Sequence, residues 1–81
     1  MAMDFRSELI TLVEEFAAAT GRSEARIANL AGRDSRFFLR LREGGGCSAD
    51  TLVRVRLWFS EHWPERAPWP AGIQRVETAS A

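Results

Sequence analysis

Chemistry in this 81-residue chain rests on arginine: all eleven basic side chains are arginine and no lysine occurs. A guanidinium is planar and permanently charged, and its donor fork matches a phosphate, a carboxylate or the acceptor edge of guanine. A GC-rich coding bias accounts for the total, so position must decide which arginines act. Eight of them (22, 26, 33, 36, 40, 42, 54 and 56) fall in residues 22–56 against Glu24, Asp34, Glu43 and Asp50, a net of +4. Residues 1–21 hold Arg6 against Asp4, Glu8, Glu14 and Glu15, a net of −3, and residues 57–81 come to −1. The whole is neutral, but a basic middle lies between acidic ends, which directs attention to an anionic partner for the middle.

Other chemistry has little to stand on. Cys47 and His62 are each the only residue of their type. An internal disulfide is impossible, a metal site of the usual His/Cys kind lacks ligands, and nucleophile–base schemes lack a constellation. No enzyme activity, metal or cofactor is expected. Gly44-Gly45-Gly46 is read as a flexible turn, because no Lys-Ser/Thr follows it as in a phosphate cradle. Cys47 is read as an inert loop thiol and His62 as a core or interface residue. No apolar run approaches the ~18 residues that span a bilayer. Met1 to Arg6 lack the layout of a signal peptide. These features set the expectation of a cytoplasmic protein with no membrane partner.

The elements that must position the arginines are helical. Phe5, Leu9, Leu12, Val13 and Phe16 share one helical face, predicting a helix over 4–20 with Asp4 as N-cap and Gly21 beyond its end. Ser23 caps a second, short helix to residue 31, with an apolar side of Ile27, Ala28, Leu30 and Ala31; Gly32 stops it. A third helix is expected over 34–43 with Asp34 as N-cap, Phe38 and Leu41 inward, and Ser35, Arg36, Arg40 and Glu43 outward. Ser48 caps a fourth over about 49–63. In it Leu52, Val55, Phe59 and His62 form one stripe that Val53, Leu57 and Trp58 widen, so the helix is either central to the core or shared with a partner. Pro64 ends it. The tail carries Pro68-Trp69-Pro70, extended, with Trp69 packing back onto the domain or a partner and the last eight or so residues frayed. The expected fold is all-α, a small four- to five-helix bundle, with a domain over 1–63 and a tail over 64–81. Its size is marginal for an isolated core, so association would help it.

Two short helices joined at Ala31-Gly32-Arg33-Asp34, with a small residue at the crossing (Ala28) and a glycine in the turn, make a helix-turn-helix. Residues 23–44, and with them Ser48 to Val55, resemble the DNA-binding domain of phage repressors and Cro-like regulators, over roughly residues 5–60. The pattern is carried by Ile27 and Ala28, Gly32, Phe38 and Leu41, and Gly44. The chain departs from it at Arg33 after the turn glycine, at Phe38, where a smaller aliphatic residue is usual, and in the proline-bearing tail that stands where a fifth helix is common. The resemblance implies a third helix in the major groove, a docking mode known for phage repressors. Base contacts would come from Ser35, Arg36 and Arg40, with Phe37 and Leu39 touching thymine methyls. Phosphate contacts would come from Glu24 and Ala25 at the second helix N-terminus, and from Arg26, Arg33 and Arg42.

The implied function is a sequence-specific transcriptional regulator of bacterial or phage origin, associated with the nucleoid. It would bind double-stranded DNA as a homodimer, with half-sites about 34 Å apart. Trp58, Trp63 and Trp69 are candidate dimer or partner residues. Arg36 and Arg40 are preferred as DNA contacts over a solvated face pairing with Glu43, whereas Phe37 and Leu39 stand evenly between core and groove. The rival reading keeps the fold but acts on another protein, antitoxin- or anti-repressor-like, through the fourth helix and the Trp-rich tail.

Overall fold

A computed structural model describes residues 4–75. Four helices follow in order: α1 Phe5–Thr20, α2 Glu24–Leu30, α3 Phe37–Arg42 and α4 Ala49–His62, with no strand among the described residues. The chain is an all-helical bundle. None of these helices is long and apolar enough to cross a membrane.

The caps explain most of the boundaries. Asp4, Ser23 and Ser48 each accept a hydrogen bond from the backbone N–H three residues on, at Ser7, Arg26 and Thr51, so each satisfies an orphan donor of its helix. Gly21, at φ 72°, closes α1. The ends of α2 and α3 are built alike. Past α2, Gly32 N–H donates to Asn29 O and Arg33 N–H to Ala28 O, at 3.0 and 2.8 Å. Past α3, Gly44 N–H donates to Leu41 O and Gly45 N–H to Arg40 O, at 3.2 and 2.8 Å. Both are Schellman motifs, which need a left-handed residue at their centre; Gly32 has φ 80° and Gly44 φ 94°.

α1 is the centre of the bundle, since it packs against each of the other three helices. Its Leu9, Leu12, Val13 and Phe16 are buried, as their spacing predicted. Against them lie Ile27 and Ala28 of α2, Phe37, Phe38 and Leu41 of α3, and Val55 and Phe59 of α4. Phe38 fits beside Phe59 with ring centroids 6.1 Å apart, and Ala28 is fully buried in the same core. The fourth helix is therefore not the central one. It buries one edge through Val55, Phe59 and Ser60, while His62 is exposed and stacks on Trp58, which corrects its expected place in the inward stripe. Leu30 is also exposed, so the apolar side of α2 is narrower than expected.

The tail to residue 75 is part of the folded unit. Trp63 is buried among Phe16, Phe59 and Trp69, and its indole N–H donates to Ala67 O at 3.0 Å. Ile73 reaches the core, Trp69 N–H donates to Ile73 O, and Arg75 donates to Ser60 O at 2.8 Å. Trp69 does pack back, on its own domain. Of the last eight or so residues, read as frayed, 76–81 lie outside the described range.

Candidate nucleic-acid interface

The expected recognition helix is shorter than its sequence pattern. Residues 34–36 form a turn, closed by Phe37 N–H donating to Asp34 O at 3.1 Å, and α3 begins at Phe37 with no side-chain cap. The reason lies in Asp34. Its carboxylate accepts from Arg36 N–H at 3.0 Å and takes both guanidinium N–H groups of Arg40, at 2.8 and 2.7 Å. Its acceptors are thus spent on a local turn and a bidentate ion pair rather than on the first turn of α3. That Arg40 fork holds the Asp34 carboxyl down at about 2, well under its usual 3.8. The connection between α2 and α3 consequently spans residues 31–36, longer than the three- or four-residue turn read from the sequence.

Of the expected base-contact residues, Ser35, Arg36, Leu39 and Arg40 are exposed, Leu39 to 43%. Phe37 is not: its ring is buried against Phe38 at 5.1 Å, so its place evenly between core and groove resolves to the core, and its expected thymine contact is corrected. Arg36 has no side-chain partner among the described residues, whereas Arg40 is engaged with Asp34.

The expected phosphate contacts divide similarly. Ala25 and Arg26 are exposed, and Arg26 is without a side-chain partner among the described residues. Arg42 is instead a junction: it pairs with Glu14 of α1 at 2.8 Å and with Glu24 of α2, drawing three helices together. The Glu24 carboxylate takes part in the same pairing, whereas the phosphate contact expected of Glu24 is a backbone one at the start of α2. Arg33 is half-buried and turned to α4, where its Nη1 donates to Thr51 Oγ1 at 3.4 Å, and its Nε is buried without a partner. It lines, with Asp34, Arg40, Cys47, Ser48 and Thr51, a cleft of about 400 Å³ between the 31–36 turn and the start of α4. Burial raises the Cys47 thiol pKa, and the nearby Arg6 charge works against that shift.

Much of the charge segregation seen along the sequence is therefore settled internally. Glu8 and Glu14 of the acidic first segment pair with Arg56 and Arg42 of the basic middle. Arg54 pairs with Asp50 and Arg6 donates to Gly45 O. Among the described residues, the arginine side chains left without a partner are Arg22, Arg26 and Arg36. Arg22 stands beside the Ser23 cap and is not among the contacts expected from the sequence. The same residues hold no cluster of three His, Cys, Asp or Glu that could bind a metal. No protein-family model, curated protein or solved structure matches the chain.

Proposed function

We propose that this protein is a sequence-specific DNA-binding regulator that reads the major groove with the face formed by the 34–36 turn and α3. The observation that carries the reading is Arg36: exposed at the threshold of α3, in a chain where most other arginines are engaged, its side chain has no partner among the described residues. Ser35 and Leu39 stand exposed beside it, and Arg26 and Arg22 supply charge for phosphates without breaking any ion pair. Arg40 reaches a base only by leaving Asp34, so it acts either as a second reader or as the brace of the turn that carries Ser35 and Arg36. A single face of this size reads few base pairs, which makes two copies on a two-fold site the natural working form.

The test is selection of the full chain on random duplex DNA at physiological salt. Enrichment of a two-fold motif is expected, with affinity falling steeply as salt rises. Arg36→Ala is expected to lose about 1–3 kcal/mol of base discrimination. No enrichment by folded protein would overturn the proposal and leave the protein-binding rival.

A further inference from the structure

α4 turns Val55 and Phe59 to the core, and its opposite side is covered only in part: Trp58 is half-buried against Phe16, with ring centroids 5.2 Å apart, and stacks on His62, while Leu57 is half-buried. Val53 there is 58% exposed, the most exposed large apolar side chain among the described residues. Beside it Arg54, Leu57, Trp58 and Glu61 recur at i, i+3, i+4 and i+7, a single helical stripe. They form one wall of a shallow groove of about 340 Å³, with Ala31, Gly32 and Arg33 opposite. The stripe is apolar at its middle and oppositely charged at its ends. Glu61 is exposed with no ion-pair partner among the described residues. Among the described residues Arg54 forms an ion pair with Asp50 alone, at 2.8 Å, in a pair that is 68% and 74% exposed. Its guanidinium has donors to spare.

This pattern is its own complement. We infer that α4 is a self-association face on which two copies pack antiparallel about a two-fold axis passing between Leu57 and Trp58. Turned about that axis, position 54 of one copy meets position 61 of the other, and position 57 meets 58. Arg54 then faces Glu61 of the second copy at both ends, and Leu57 packs on Trp58 of the second copy in the middle. A parallel pairing would set arginine on arginine and glutamate on glutamate, so the charges fix the direction. A helix of 14 residues is about 21 Å long and covers less than the ~800 Å² per partner of a stable complex. The dimer is accordingly a weak, concentration-dependent one. This inference deepens the regulator reading by naming the surface that joins two half-site readers, and it rests on that reading only for what the pair does.

Sedimentation equilibrium of the full chain without DNA, from about 10 µM to about 1 mM, tests it. The unaltered chain is expected to show a monomer–dimer equilibrium. Arg54→Glu alone and Glu61→Arg alone each give the whole stripe one sign, and each is expected to weaken dimerisation at least about tenfold. An equimolar mixture of the two variants is expected to associate again, as is the double variant. Both positions are exposed, and helical circular dichroism checks that folding is kept. A monomeric unaltered chain, single variants that dimerise like it, or a mixture that stays monomeric overturns the inference. Binding of the single variants to a duplex carrying one half-site separates the two readings: retained binding with lost dimerisation keeps both. Absent DNA binding with intact dimerisation removes only the regulator.

Discussion

At the scale of the residue, two arginines of similar sequence prospects have opposite situations. Arg42 is held by Glu14 and Glu24, and the Arg36 side chain by no partner among the described residues. Arg42→Ala should therefore lower stability by about 1 kcal/mol, the upper range for a partly exposed ion pair, in a urea titration. Arg36→Ala should leave that titration unchanged and weaken DNA binding; a reversal of the two effects would sink the site assignment. Asp34 offers a pH signature. Its carboxyl titrates at about 2 instead of 3.8 because the Arg40 fork and Arg36 N–H favour the charged form. A lowered carboxyl pKa adds stability that is complete above the ordinary value and is lost as pH falls through the folded one. The Asp34 contribution is thus intact at neutral pH and disappears between about pH 4 and pH 2. Carboxyl NMR should find the Asp34 midpoint near 2. In Arg40→Ala it should return toward the ordinary carboxylate range, and an unmoved midpoint would show that the pair does not form in solution.

At the scale of the element, glycines divide by what their positions demand. Gly32 sits at φ 80°, where a Cβ strains the backbone whatever the space. Gly45 has another constraint: a Cβ there would lie 2.8 Å from Arg40 O, the carbonyl that its own N–H must reach. Gly46 meets nothing within 4 Å and has an ordinary φ. Alanine is therefore expected to cost about 1–2 kcal/mol at Gly32 and a similar amount at Gly45, and to be neutral or slightly stabilising at Gly46. Equal melting temperatures for all three variants would contradict the Schellman geometry. The same elements show what the sequence could disclose. Caps and stops at Asp4, Gly21, Ser23, Gly32 and Ser48 are local interactions, set within a few residues, and they were legible. So was the α1 face. Asp34 looked like another cap of this kind, but its fate was decided by Arg40 six residues away. The Arg42–Glu14 and Arg56–Glu8 pairs span 28 and 48 residues, and no periodicity carries such contacts. Charge by segment was read correctly as a count, yet only the fold reveals which charges cancel one another.

At the scale of the whole molecule, the tail decides how large the folded unit is. The helices alone end at His62, and a boundary at residue 63 follows naturally from Pro64. The packing extends further, because Ile73 completes the apolar cluster against which Trp63 and Trp69 lie. Arg66 donates to Ala19 O at 2.9 Å and Arg75 to Ser60 O at 2.8 Å, so the tail clasps the end of α1 and the last turns of α4. A bundle of this length buries a small core, and each apolar side chain is a sizeable part of the total. Ile73→Ala removes a buried side chain that the sequence gives no reason to place in the core, and is expected to cost about 2–5 kcal/mol in urea unfolding. Termination after Trp63 should cost at least as much, since it removes Ile73, the Trp69 ring and both arginine tethers together. If Ile73→Ala unfolds like the unaltered chain, the tail is an appendage and Trp69 is free for a partner. If the loss is as large as expected, Trp63 and Trp69 belong to the fold, and the surface left for association is the outer stripe of α4.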